Sequence, residues 1–353
     1  MNIVIILIVS FSSIGILTTA ASLIKWRHDW WIRVFDFPRL QISTLIILML
    51  ICSFIFYSFT HLWHFILTGL LIAGLIIQAA KIYRFTPFAR KQVLGYKGDD
   101  EKHTISIMVS NVLQTNKKSD KLLTLIKKYQ PDIILTLETN KWWAEQLAEL
   151  EEKWPYTLKK PLENLYGMQL FSRFELKNAK IKFLVRNDIP SFEMQVVLKS
   201  GDLVNVFCLH PKPPFPSESD TSLFRDAELL IVGKKVENSN KPILIFGDFN
   251  DVAWSHSTRL FQKVSELLDP RIGRGFFNTF HAGYPIFRWP LDHVFHSDHF
   301  KLVKMKRLKN IGSDHFPIYS KLYYNPDYQT EQDEPDADGD EMEFANEVID
   351  DAR

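Results

Sequence analysis

Cysteine is nearly absent: the 353 residues hold two, Cys52 and Cys208. Neither belongs to a CxxC or Cys/His spacing, which argues against a disulfide framework and a structural zinc site. Both lie in apolar runs and read as small core residues. A charge surplus is lacking as well. The formal net charge is +1, so there is no strongly basic footprint of a dedicated nucleic-acid binder. That average conceals an uneven distribution. The first 97 residues carry nine Lys/Arg against two Asp, whereas Tyr324 to Arg353 carry twelve Asp/Glu against one Arg, leaving a mildly basic middle. No internal repeat is present.

Asn2 to Ile24 lacks charge altogether, and Ile42–Phe59 and Phe65–Ala80 lack it too. A helix needs about 20 apolar residues to cross a bilayer core. The first run also lacks the basic n-region and small-x-small cleavage site of a signal peptide. Three spanning helices are therefore expected (about 2–24, 42–59 and 65–80), the last two forming a tight hairpin around HLWH (61–64). The connector at 25–41 mixes Trp, Phe and Arg, a composition suited to headgroup depth. Four Lys/Arg lie there and five follow the third helix, so three crossings put both groups on one side. The positive-inside rule makes that side cytoplasmic, with the outer face as the alternative.

Thr86-Pro87 and GYKGDD (95–100) mark a linker, giving a membrane segment at 1–97 and an aqueous domain at 98–323. Apolar runs then alternate with one amphipathic helix from Ser119 and another over Ser217–Val236. Strands are expected at 104–110, 132–138, 167–172, 192–199, 202–210, 242–250, 291–296, 301–309 and 317–324. Strands outnumber helices, and some are linked as hairpins. This implies an α/β fold, a four-layer sandwich of two mixed β-sheets flanked by helices, preceded by the transmembrane segment. The tail at 324–353 is acidic, with Pro, Gly and few large apolar residues, and is expected to be disordered, a solvated chain rather than a cation site.

The strands share a way of ending. The first is followed by Asn111, the second by Glu138, the fifth by His210, and ILIFG by Asp248 and Asn250. Asp292 opens LDHVF, and Asp314-His315 precede the last strand. Any one of these reads as a loop cap. Together they read as a site, because strand ends converge at one sheet edge. Carboxylates with carboxamides are hard oxygen donors, suited to Mg²⁺ or Mn²⁺ rather than zinc. Two histidines add proton transfer and orientation.

The set NVLQTN, LTLETN, LHPKPP, GDFND, LDHVF and SDHFPI resembles the endonuclease/exonuclease/phosphatase (DNase I-like) superfamily over about 103–323. WWIRVFDFPRLQ and RIGRGFFNTF…FRWPLDH are similar to its membrane-attached bacterial branch. The resemblance implies Glu138 as the principal metal carboxylate, with Asn111 and Asp314 nearby. It implies that Asp248 orients or deprotonates the attacking water and that Asn250 holds the scissile phosphate. His210 would contact the phosphate and could act as an acid. His315 would bond a phosphate oxygen, its tautomer fixed by Asp292. Repair nucleases usually place Gln before the metal Glu and a Lys soon after; here Leu137 precedes it and Lys141 is displaced. Tyr166 and Arg288 are candidate substrate contacts, the first competing with a strand-edge role. His256 and the Trp142-Trp143 pair read as structural.

The expectation is a membrane-tethered, Mg²⁺-dependent hydrolase of phosphate mono- or diesters, lipid-linked ones included, with the bilayer as a partner. A metal-dependent nuclease is the first alternative, with nucleic acid the less favoured substrate. A catalytically inactive membrane scaffold is the second.

Overall fold

The computed structural model describes residues 3–325, 327 and 331–353. Three helices open the chain: α1 (Ile3–Ala21), α3 (Arg39–Phe56) and α4 (Leu62–Ile82), with a single turn, α2 (Trp30–Arg33), in the connector. The three long helices are long and apolar enough to cross a membrane. They pack as a bundle around Ile42, Ile46 and Leu71. Small residues allow close approach, since a Cβ on Gly15 would sit 3.1 Å from Ile46. At one end a buried polar cluster ties the helices together: Arg39 donates to Asp36, to Ser22 Oγ (3.2 Å) and to Gln78 Oε1 (3.1 Å).

Eleven strands among the described residues build two sheets. The first holds β1 (Thr104–Asn111), β2 (Ile133–Leu137), β3 (Tyr156–Lys160), β4 (Met168–Ser172), β10 (Phe300–Arg307) and β11 (Ile318–Tyr324), in the order β10-β11-β1-β2-β4-β3. The second runs β5 (Leu176–Lys182), β6 (Ser191–Val197), β7 (Leu203–Leu209), β8 (Ile243–Asp248), β9 (Asp292–His296). Only β1/β2 and β7/β8 pair in parallel.

Side-chain alternation explains the layers. Ile107 and Val109 of β1 face the other sheet and meet Met194, Val206 and Phe246 in the central core. Met108, between them, faces outward onto α5 (Ser119–Tyr129), packing with Leu122, Leu125 and Ile126. On the far side α7 (Leu223–Val236) and α8 (His256–Val264) cover Phe207, Ile245 and Phe295. The short α6 (Lys141–Gln146) buries Trp143. The expected four-layer sandwich is thus the observed one.

Three expectations need correction. The acidic tail is not structureless. Its residues 339–351 form α9 (Gly339–Asp351), started by a capping box between Asp338 and Glu341. Ala345, Val348 and Ile349 recur at helical spacing and pack on Leu230, Leu260 and Val264. The apolar residues are few, but they share one face. The helix expected from Ser217 begins at Leu223, because Asp220 and Ser222 exchange backbone hydrogen bonds with the connector at Trp30 and His28. Finally, the stretch expected to be a linker is packed into the domain. Leu302 N donates to Leu94 O (2.8 Å), and Gly273 N to Arg84 O (2.8 Å).

The N-terminal helical bundle and the two-sheet domain accordingly share a core. Phe37, Leu40, Ile82 and Phe85 pack with Val252, Trp254, Ile272, Leu291 and Trp289. Trp254 Nε1 donates to the Asp36 carbonyl at 2.7 Å.

Candidate active site

Parallel pairing brings the site together. In β1/β2, Asn111 pairs with Leu137, so Asn111 and Glu138 leave the same sheet edge. In β7/β8, Leu209 pairs with Gly247, setting His210 beside Asp248. Antiparallel β9 then aligns Asp292 with Asp248. Two glycines permit the approach. Gly247 has φ 152°, and a Cβ there would lie 1.9 Å from Leu209 O; a Cβ on Gly167 would lie 1.8 Å from Thr139 O. Glu138 and Asn250 both take left-handed conformations, φ 59° and 51°. Such strain on non-glycine residues is held by the surrounding packing and turns each side chain out of its strand line.

Asp248 is fully buried. Its carboxylate accepts from Asn250 N (2.9 Å) and Asn111 Nδ2 (3.1 Å), and lies 3.5 Å from His315 Nε2. The other ring nitrogen of His315 meets Asp292 Oδ2 at 2.9 Å. Burial alone would discharge this imidazole, but Asp248 and Asp292 outweigh it and push His315 up to about 10. The charged form of His315 is therefore favoured between the two carboxylates. Asp248, Asp292 and His315 also have the spacing of a metal group, with ligand atoms within 4.8 Å of one another. The imidazolium already accounts for that cluster.

Glu138 is different. Burial raises its carboxyl to about 7, against the hydrogen bond from Asn111 Nδ2 (2.8 Å), with Asp314 and Asp248 adding negative charge. It accepts further only from Gln114 N, at 3.3 Å. Glu138, Asp248 and Asp314 thus gather carboxylates at one end of the paired strands, around the ring of His315. That excess of hard oxygen fits a divalent Mg²⁺- or Mn²⁺-type ion. Asn111 contributes in an unanticipated way. Its Oδ1 is taken by Leu113 N (3.0 Å), so its amide nitrogen faces both Glu138 and Asp248. As placed, it aligns the carboxylates rather than offering an oxygen ligand.

His210 is buried with Nδ1 unpartnered, and burial lowers it to about 4. It is neutral, hence a hydrogen-bonding group rather than a stored acid. Asn250 is present at the site, though its Nδ2 donates to Pro211 O (3.0 Å). Ser313 draws the last loop in by donating to Asn111 O (2.9 Å), which places Asp314 and His315. Tyr166 is buried, its ring 5.4 Å from His210 and its hydroxyl bonded to Glu218. That bond ties up the donor that a direct substrate contact needs. Arg288 stacks over Phe316, 5.0 Å away, beside His315. It donates to His281 O (3.4 Å) and Ala282 O (3.2 Å).

Sequence reasoning missed the support beneath the GDFND loop. Arg225 donates to Asn250 O (3.0 Å) and to Asp226 (2.8 Å), and lies 3.3 Å from Asp251. The signal was an Arg-Asp pair in the first turn of an otherwise apolar helix face. Glu218 and Ser313 carried no signal of their own.

No curated protein sequence matches the chain. Solved structures do. The human nocturnin catalytic domain with bound sulfate superimposes with TM-score 0.53 at 19% identity, covering 64% of this chain and 97% of that one. Danio rerio TDP2 complexed with a single-strand DNA product gives 0.51 at 16%, covering 62% and 98%. A Bacteroides thetaiotaomicron endonuclease/exonuclease/phosphatase family protein gives 0.50 at 17%, covering 64% and 96%. At such identities these likenesses speak to fold. The sequence profile matches residues 108–315, well over half the chain and spanning every strand end described above. The protein belongs to the endonuclease/exonuclease/phosphatase family.

Proposed function

We propose that the chain is a membrane-tethered, divalent-metal-dependent hydrolase of phosphate esters, with lipid-linked phosphoesters as its substrates. Family membership supports phosphoester hydrolysis. The observation that carries the reading is the charge pattern at the strand ends: an imidazolium, His315, locked between Asp248 and Asp292 and close to the half-buried carboxylate of Glu138. A phosphoryl group needs a fixed positive donor on one side and a site for a cation on the other. The three apolar helices and the shared core support the tether.

Glu138 and Asp314, aligned by Asn111, would hold the ion, which when bound supplies positive charge to phosphoryl oxygens as negative charge develops there. Asp248 orients the attacking water and accepts its proton. His315 donates to a non-bridging oxygen from Nε2, while Asp292 keeps Nδ1 protonated. His210, neutral, contributes a hydrogen bond, and Asn250 steadies the ester. The water oxygen forms the new P–O bond as the ester P–O bond breaks, and the proton taken by Asp248 passes through solvent to the departing alkoxide, which leaves as the alcohol. The positive-inside count places this domain on the cytoplasmic face. Protease added to intact spheroplasts should leave it uncut on that reading.

The test is a panel of phosphoesters with the full-length protein in nanodiscs. Hydrolysis should vanish in EDTA and return with Mg²⁺ or Mn²⁺. Full activity in EDTA would remove the metal from the mechanism. Preference for DNA, with activity falling steeply as salt rises, would favour a nuclease instead.

A further inference from the structure

Between Thr279 and Trp289 the chain folds back on itself as a narrow ribbon. Thr279 N donates to Trp289 O (3.0 Å) and His281 N to Phe287 O (3.1 Å). Its base is built into the active site. The Phe280 ring lies 4.9 Å from that of His315, Phe316 N donates to Thr279 O, and Ala282 N donates to the carbonyl of Asp314. The apex is apolar and open to solvent. Tyr284 is 61% exposed, Ile286 73% and Phe287 51%, with Pro285 exposed between them. Three large apolar side chains adjacent on a loop apex, with nothing covering them, mark a surface that meets another phase.

What that phase is follows from the ribbon's other contacts. Gln41 Nε2 donates to the carbonyl of Ile286 at 2.5 Å. Gln41 lies in the first turn of α3, an apolar helix of 18 residues. Trp289 packs edge-on against Phe37, 5.7 Å away, in the connector leading into that helix. If α3 crosses a bilayer, its first turn lies where acyl chains give way to headgroups. The hydrogen bond fixes the ribbon apex at the same depth.

We propose that residues 283–287 form a lip inserted into the bilayer surface, seating the mouth of the active site on the leaflet that α3 enters. The occupant of this apolar surface is lipid. Aromatic and branched side chains at the apex partition into the headgroup–acyl boundary. Behind them Arg288 and His281 stand between the apex and His315, where a headgroup phosphate would pass. The substrate half of this inference, a phosphoester drawn from the leaflet and not from solution, rests on the hydrolase reading. The insertion half does not.

The experiment uses the full chain in nanodiscs of phosphatidylcholine and phosphatidylglycerol. An environment-sensitive fluorophore is attached at Ile286→Cys in a Cys52→Ser background, Cys208 being buried. The control is Lys180→Cys, exposed on β5 at the opposite end of the second sheet from β9. Brominated acyl chains should quench the label at 286 and leave that at 180 bright. Equal quenching at both positions overturns the lip. A second arm compares turnover of a vesicle-borne phosphoester with a short-chain soluble analogue in the unlabelled Ile286→Ser/Phe287→Ser protein. Losing two side chains from the interface should cut vesicle turnover on the order of tenfold and leave the soluble rate within about twofold. Equal losses on both overturn the inference, since the ribbon would then be a prop for the site. If wild type cleaves no phosphoester at all, the hydrolase reading fails, and the quenching result still decides insertion.

Discussion

Two buried charge networks lie a few residues apart in this chain, and they are built on opposite terms. Beneath the GDFND loop, Arg225 satisfies Asp226 and Asp251, and the remaining acceptors are filled. Ser255 and Thr258 donate to Asp251, while Ser222 donates to Asp226, which also faces His28. Above the loop, Asp248, Asp292 and Glu138 outnumber their one cation, His315. Asp292 Oδ1 and His210 Nδ1 have no partner among the described residues. A network that closes on itself specifies geometry. One that leaves charge and hydrogen bonds open is waiting for a ligand. Depth does not separate them, for Asp248, Asp292 and His315 are as buried as Arg225, Asp226 and Asp251. Completeness does.

The comparison is broken most forcefully at Arg225. Arg225→Met strands Asp226 and Asp251 without a cation, and should cost about 3–5 kcal/mol. A steep fall in the thermal midpoint of the nanodisc protein would register it. Glu138→Gln is the opposite case. It removes an uncompensated carboxylate from the site, so hydrolysis should fall by about a hundredfold or more. The thermal midpoint should hold or rise. An equal drop in stability would mean that Glu138 belongs with the structural charges.

A sharper version lies within α7. Asp226 and Glu228 are both buried, two residues apart. Burial disfavours the Asp226 anion, but Arg225 and His28 outweigh it and hold the carboxyl far below its usual range; burial alone drives Glu228 up to about 8. The folded state therefore keeps a proton on Glu228 that the unfolded chain releases near its ordinary value. Its burial weakens stability as pH rises from about 4.3 towards 8 and no further above that. Glu228→Gln should gain about 1–3 kcal/mol at pH 8 and little at pH 4. Parallel stability–pH curves for variant and wild type would refute this. The smallest effect is expected at Lys263–Glu341, a half-buried pair at 2.6 Å that anchors α9. Lys263→Ala should cost about 0.5 kcal/mol.

What was legible in the sequence follows from the same physics. A polar residue straight after a run of buried apolar ones is costly unless it is used, so Asn111, Glu138, His210 and Asp248 stood out at strand ends, and Asp292 at a strand start. Parallel pairing within each sheet brings Asn111 to Glu138 and His210 to Asp248, antiparallel β9 adds Asp292, and the packing of the two sheets joins the groups. The edge strands β3 and β5 were missed. β3 is half-buried and β5 largely exposed, and both carry Lys, so neither shows the apolar alternation of a buried strand. α9 was missed because acidic composition masked the apolar face of Ala345, Val348 and Ile349. The orientation of the Asn111 amide and the engagement of Tyr166 depend on Leu113 and Glu218, partners set by the fold.

The shared core between bundle and domain has a consequence for synthesis. Asp36 and Trp254 are 218 residues apart in the chain and joined by one hydrogen bond. On a ribosome the three apolar helices emerge before the sandwich, offering Phe37, Leu40, Ile82 and Phe85 to no partner until Val252 and Trp254 have been made, and to an incomplete one until Leu291 follows. For most of translation the junction is a half-built apolar socket, prone to wrong partners. The same holds for a fragment started at residue 98: it would expose Trp254 and Leu291 to water, and its poor solubility would reflect a severed core and say little about the site.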